Sequence, residues 1–394
     1  MIYSDTKMTE MEEFCKILPK VELHAHINGS VSEDTIQKLL TKKQNLDHQF
    51  SFKKGSTATL KQCFEKFRMI HQLTDNVDSV YQVTYDVIHE FNDDNVKYLE
   101  LRTTPRAVTD TGMTQELYVE AVLRAIQDCE SEDLDIRVRL LLAIDRRNGV
   151  QRGWETVRLA QKLGTSYGDI IVGIDLSGDP NSLSFLDHFP LPSIQIWKSL
   201  PNMESRSDDF QLSCLNTLKV GDGRDYIPVF RHAKDLGLKL ALHLCEVPAP
   251  VETMDLLSLP PDRIGHGTCL HPEAAGRQEF VDTVLARKTP LELCLTSNLI
   301  GQTVPNLDNH QFKFWYEKKH PCIICTDDKG VFSTSLSEEY QLAATTFDLT
   351  PSDLWRLSED SIKHAFCEEK VKEKLREKWK KYKSQIEQQF SLKL

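Results

Sequence analysis

Eight short β-rich runs punctuate this chain, and a helical pattern lies between most of them. The runs cover residues 21–27, 96–103, 136–145, 170–177, 238–244, 263–268, 291–297 and 322–327. Most read as continuous apolar stretches, as expected for parallel strands covered on both faces. Helical periodicity follows at 77–91, 114–129, 154–163, 274–286 and 336–347. Strand–helix alternation repeated in this way predicts an α/β chain folded as a (β/α)8 barrel, with a doubly wound open sheet as the alternative. The barrel is preferred because polar residues mark the C-terminal end of nearly every run, the face where such barrels place their chemistry. The 394 residues are enough for one large domain of this kind across the whole chain.

Composition narrows the function classes. A formal net charge of -11 disfavours nonspecific binding to a nucleic-acid backbone. No apolar run approaches the roughly 20 residues that span a bilayer. Residues 1–13 are polar and acidic, without the basic start and apolar centre of a secretory signal. Ten cysteines in such a chain predict reduced thiols and a cytosolic setting. Cys294, Cys322 and Cys325 lie inside apolar runs and read as small buried hydrophobes. The basic stretch 370–383 alternates with Glu at helical spacing and reads as a solvated helix face. A monomer acting on a small molecule, with no nucleic-acid or membrane partner, is the expectation. Two segments stand outside the repeat: a polar, loop-like stretch at 44–59, and a proline-containing one after strand four. Within the second, residues 182–219 read as a disordered insertion, with a functional lid as the alternative.

The chemistry gathers at the strand ends. His24 and His26 are two apart in the first run, so both imidazoles project from one face. The fifth run gives His243 and, three residues on, Glu246; the sixth gives His266; the eighth gives Asp327 and Asp328. Three histidines and one carboxylate with an open position for water suit a catalytic Zn²⁺, leaving two carboxylates and one histidine beside it. That remainder is what hydrolytic removal of an amine from a ring requires. Glu246 is the candidate acid for the ring nitrogen, and His266 and Asp328 can orient the attacking water or take its proton. Taken singly, each residue has a plainer reading: a histidine on an apolar strand is usually a satisfied core residue, and Asp327-Asp328 can cap a helix. The conjunction on four strands carries the case. His271-Pro272-Glu273 with Pro321-Cys322-Ile323-Ile324-Cys325 imitates a cytidine-type deaminase signature. Those cysteines, however, lie in an apolar strand that runs straight into Asp327.

Several of these stretches resemble one family. Lys20-Val21-Glu22-Leu23-His24-Ala25-His26, Gly173-Ile174-Asp175-Leu176-Ser177-Gly178-Asp179, His243-Leu244-Cys245-Glu246, Arg263-Ile264-Gly265-His266-Gly267 and Cys325-Thr326-Asp327-Asp328 occur in the order found in the adenosine and AMP deaminases. The resemblance spans nearly the whole chain. It implies a barrel with one Zn²⁺ held by His24, His26, His243 and Asp327. It implies Glu246 as proton donor to purine N1, with His266 and Asp328 as partners of the attacking water. It also implies Gly178 with its backbone N–H against the purine ring, where the lack of a Cβ permits close approach. Asn28 stands where the adenosine enzymes carry Asp; a neutral amide there would not repel a 5′-phosphate. Arg102-Thr103-Thr104-Pro105-Arg106 offers hydroxyls and cations suited to that phosphate, against the plainer reading of a solvated loop. His71 and Arg146 are weaker candidates for the nucleotide pocket, and His26 and Asp328 also face substrate. Strand four ends in Ser177-Gly178 without lysine, which argues against the two-metal hydrolases of the wider superfamily. The resemblance, and no residue by itself, implies the reaction expected: hydrolysis of an N6-methylated AMP to IMP and methylamine. The alternatives are deamination of the free nucleoside, and a metal-bound barrel disabled by its insertion.

Overall fold

In the computed structural model, which describes residues 3–43, 60–179 and 221–394, eight parallel strands hydrogen-bond in chain order. They are β1 (Lys20–His26), β2 (Val96–Thr103), β3 (Arg137–Asp145), β4 (Ile171–Ser177), β5 (Lys239–Leu244), β6 (Arg263–His266), β7 (Leu291–Leu293) and β8 (Cys322–Ile324). The last seam, between β8 and β1, is closed just beyond the end of β8. The His26 N–H donates to the Asp327 carbonyl at 2.9 Å, and the Asp327 N–H donates to the His24 carbonyl at 2.8 Å. Lower in the seam, Glu22 accepts from the Thr326 N–H (2.9 Å), the Thr326 hydroxyl (2.8 Å) and the His24 N–H (2.7 Å). The residues that close the barrel are therefore those that carry the candidate ligands, or their neighbours.

The helices form where capping and periodicity agree. Ser32, Asn76 and Thr114 each accept a hydrogen bond from a backbone N–H in the first turn of Glu33–Lys42, Val77–Asp93 and Gln115–Ser131. Several boundaries differ from expectation: the runs 263–268 and 322–327 are strand only to His266 and Ile324, and the helix read at 154–163 spans Val150–Tyr167. The run 291–297 is strand only as far as Leu293; a helix, Leu295–Ile300, takes the rest. A short apolar run has no periodicity that separates strand from buried helix. The helix expected from 274 begins at Gln278, after a 3₁₀ turn at Pro272–Ala274. Residues 44–59 and 182–219, read above as a loop and an insertion, lie outside the described residues.

The strands are less apolar than they read. Their outer faces pack against helices, but the lumen holds charge: Glu100, Arg102, Asp175, Arg263 and Glu292 are all fully buried. Arg263 Nε donates to Glu292 Oε1 at 2.5 Å, its Nη2 to Glu100, and its Nη1 to the His364 carbonyl at 2.7 Å. Arg102 Nη2 donates to Glu292 Oε2 at 2.9 Å and to the Leu23 carbonyl at 2.7 Å, while its Nη1 lies 3.4 Å from Asp175. Charges survive such burial only when paired, and removing one partner leaves the other stranded.

The C-terminal helix Glu369–Gln389 buries Leu375, Trp379 and Ile386 and turns its lysines outward, as the charge pattern predicts. Trp379 is fully buried, and its Nε1 donates to Ser358 Oγ at 3.1 Å; Ser358 in turn donates to the Pro19 carbonyl at the entry to β1. No described helix is long and apolar enough to cross a membrane. Trp379→Ala removes both the packing and this tie. It is expected to cost about 3–5 kcal/mol, read as a lower urea midpoint at unchanged slope.

Candidate active site

At or just beyond the ends of three strands the backbone turns left-handed at a residue that is not glycine: Cys245 (φ 57°), His266 (φ 61°) and Asp327 (φ 60°). Such conformations cost of order 1–3 kcal/mol each and persist where surrounding bonds impose them. Those bonds are present. The Cys245 carbonyl accepts from the Cys269 N–H at 2.7 Å, the His266 carbonyl accepts from Gln311 Nε2 at 3.2 Å, and Asp327 is tied on both sides to β1. The consequence is that strand ends which would otherwise run out toward solvent turn their polar side chains over the lumen.

Four imidazoles and one carboxylate meet there. Asp327 Oδ1 lies 3.4 Å from His24 Nε2 and 3.2 Å from His26 Nε2, and His26 Nε2 lies 3.3 Å from His243 Nε2. Donors placed about 2.0–2.1 Å from one tetrahedral ion are separated by about 3.3 Å from each other, so this spacing fits a divalent metal. His266 stands slightly back, its Nε2 3.9 Å from Asp327 Oδ2. The sets able to hold an ion among the described residues are His24, His243, His266 and Asp327, and His26, Asp175 and His243.

The proton arrangement agrees with a cation site. His24 Nδ1 lies 2.6 Å from Glu292 Oε2, and His243 Nδ1 lies 2.9 Å from Asp175 Oδ1. A carboxylate accepts, so each ring donates from Nδ1 and turns the lone pair of Nε2 inward. His24 Nε2 is buried with no hydrogen-bond partner among the described residues, Asp327 Oδ1 being 3.4 Å away. Lone pairs and a carboxylate converging without a donor require a positive charge between them. Despite burial, the cationic and imidazole neighbours hold the Asp175 and Glu292 carboxyls below the usual carboxylate range. Sequence reasoning gave neither carboxylate a role. The available signal was an acidic residue inside an otherwise apolar run, as in Leu291-Glu292-Leu293. Ser297, whose hydroxyl donates to Asp327 Oδ2 at 2.7 Å, and Asn298, 3.1 Å from His266 Nδ1, were also missed, because they sit on the helix read as strand.

Glu246 is half-buried on the turn after β5, and Asp328 is buried beside Asp327. Burial, with Asp327 and Glu246 close by, pushes the Asp328 carboxyl well above its ordinary range. Gly29 makes room for it, since a Cβ there would fall 1.5 Å from Asp328 Oδ1. Gly178 has φ +91°, and a Cβ on it would fall 2.3 Å from Asp145 Oδ1, so glycine is demanded at the end of β4.

The residues read as a phosphate pocket separate into two groups. Arg106 is half-buried; its Nη1 donates to the His71 carbonyl at 3.1 Å, its Nη2 to Thr74, and its guanidinium lies 5.9 Å from the Tyr118 ring centre. Asn28 and Thr104 are half-buried at the same end of the barrel, and the Pro105 carbonyl accepts from Gln115 at 3.0 Å. The others serve the scaffold. Arg102 belongs to the lumen network. Thr103 is 3% exposed and bonds Tyr118 OH at 2.7 Å, on the helix side of β2. Arg146 is buried, with Nη1 3.1 Å from both oxygens of Glu252. A strand alternates faces, and a buried cation takes the nearest carboxylate, so sequence proximity did not place these groups at the rim.

Comparison with known proteins agrees with this geometry. The family profile described as Adenosine deaminase matches residues 19–190 and 216–382. The chain is 46% identical over 382 residues to the N6-Methyl-AMP deaminase of Danio rerio, covering 96% of this chain and 99% of that one. The apo structure of the N6-methyl-AMP deaminase from Arabidopsis thaliana superimposes with a TM-score of 0.76 at 34% identity, over 94% of this chain and 98% of that one. The crystal structure of Arabidopsis ADAL complexed with IMP gives 0.75 at 33%, over 94% and 98%. The chain belongs to the adenosine deaminase family, whose members are metal-dependent purine aminohydrolases.

Proposed function

We propose that this protein hydrolyses N6-methyl-AMP to IMP and methylamine, with one Zn²⁺ held by His24, His26, His243 and Asp327. The observation that carries the reading is the convergence of His24 and His26 on Asp327 Oδ1, with His243 beside them at 3.3 Å from His26. Zn²⁺ in such a nitrogen and oxygen set supplies a Lewis acid that brings the pKa of water from 15.7 toward roughly 7. His266 and Asp328 hold the attacking water, and one of the pair takes its proton as its oxygen joins C6. Glu246 gives a proton to purine N1, so the charge of addition is neutralised on the ring. The C6–N bond then breaks, methylamine leaves carrying the proton first taken from water, and the C6 hydroxyl gives its proton back to Glu246, so that the oxygen remains as the 6-oxo group of IMP. Gly178 brings its backbone N–H to the purine.

The nucleotide, rather than the nucleoside, is supported by neutral Asn28 and by Arg106 at the same rim. The activity named for the Danio rerio relative and the IMP held by the Arabidopsis protein point the same way. The N6-methyl preference rests on those relatives alone. Cytosolic placement, expected from the cysteine content, belongs to the same proposal.

Purified protein is expected to release equimolar IMP and methylamine from N6-methyl-AMP, and to lose this activity on dialysis against a chelator. A folded, zinc-loaded sample that makes no IMP overturns the reading. Glu246→Gln is expected to lower kcat by about 10²–10⁴-fold with zinc content unchanged, checked by steady-state kinetics and metal analysis. Arg106→Ala is expected to raise KM for the nucleotide by about 10–100-fold while sparing kcat. An unchanged KM would move the reading to the free nucleoside.

A further inference from the structure

Buried behind His266 is a chain of hydrogen bonds whose direction can be read from its ends. The Phe312 backbone N–H donates to His310 Nδ1 at 3.0 Å. A backbone N–H has no other polarity, so His310 Nδ1 is an acceptor and its ring proton sits on Nε2. His310 Nε2 lies 3.0 Å from Asn298 Oδ1, which is thereby an acceptor. A second anchor gives the same answer. Gln311 Nε2 donates to the His266 backbone carbonyl at 3.2 Å, and the same amide nitrogen donates to Asn298 Oδ1 at 3.0 Å. The Asn298 amide orientation therefore follows from a backbone N–H at one end and a backbone carbonyl at the other.

Its remaining group, Nδ2, lies 3.1 Å from His266 Nδ1 and can only donate. His266 Nδ1 accepts, which places the ring proton on Nε2. That nitrogen is buried, has no hydrogen-bond partner among the described residues, and lies 3.9 Å from Asp327 Oδ2, with the rings of His24 and His243 centred 4.9 and 5.1 Å from that of His266. Asn298 and His310 are 1% and 2% exposed, so water does not scramble the chain from outside.

We propose that Asn298, backed by His310 and Gln311, is a positioning residue that locks His266 as the neutral Nε2–H tautomer. His266 then meets the attacking oxygen as a hydrogen-bond donor, and Asp328 is left as the group that accepts the water proton. The contrast with the other rings gives the device its sense. His24 and His243 are held by carboxylates and turn lone pairs inward, whereas His266 is held by an amide and turns a proton inward. The inference rests on the aminohydrolase reading for its catalytic meaning, but the tautomer stands apart from it.

The test is Asn298→Asp, nearly isosteric, in which the new carboxylate oxygen accepts from His266 Nδ1 and reverses the ring. With the zinc-loaded enzyme, kcat for N6-methyl-AMP is expected to fall by about 10²–10³-fold with KM nearly unchanged, the scale of losing one donor to a developing oxyanion. Two-dimensional ¹⁵N–¹H spectra of imidazole-labelled protein should report His266 protonated at Nε2 in the wild type and at Nδ1 in the variant. A merely structural role would lower the melting temperature and leave that pattern alone. A wild-type His266 protonated at Nδ1, or a reversed ring with unchanged kcat, overturns the proposal. If the variant does not fold, the wild-type spectrum decides. If wild type makes no IMP while its spectrum shows the Nε2 proton, the aminohydrolase reading fails and the tautomer assignment remains.

Discussion

Glu292 is the hinge of this structure. One buried carboxylate accepts from Arg263, Arg102 and His24, on β6, β2 and β1. A group accepting three charged or polar donors in a dry lumen cannot rotate without stranding one of them, so the His24 ring is fixed in place and in tautomer before any ligand arrives. Asp175 does the same for His243 while bearing on Arg102. The barrel thus spends its interior on orientation. Apolar side chains of equal volume would fill the lumen with less electrostatic risk, but they would leave the imidazoles free to turn.

The rim shows a related economy. Left-handed turns at Cys245, His266 and Asp327 redirect the chain where three strands end, and each is held by a bond to a neighbouring segment. The same Asp327 backbone that closes β8 onto β1 aims its carboxylate between His24 and His26. Closure of the fold and assembly of the site are one event here. A chain that failed to close the β8–β1 seam would also fail to bring Asp327 to His24 and His26.

Much of this was legible in the residues. His24 and His26 share a face because strand side chains repeat every two residues, and each polar side chain at a strand end marks the rim because parallel barrels put all C-termini at one end. The helix Leu295–Ile300 was not legible. Its apolar run has no period, and what bends it is the demand that Ser297 and Asn298 reach Asp327 and His266, residues 30 and 32 positions away. Arg102, Thr103 and Arg146 misled for the opposite reason: they lie next to the rim in sequence, but their partners Glu292, Tyr118 and Glu252 draw them into the scaffold.

The sequence alone determined the alternation of strands and helices, and that the polar residues closing the strands share one end of the barrel, because these follow from periodicity and residue type. Tertiary structure alone decided which buried carboxylates orient which histidines, which arginine stays at the rim, and which nitrogen of each ring faces inward. Those choices depend on contacts between residues far apart in the chain, and a hydrogen bond's direction is set by its partner rather than by the residue that makes it.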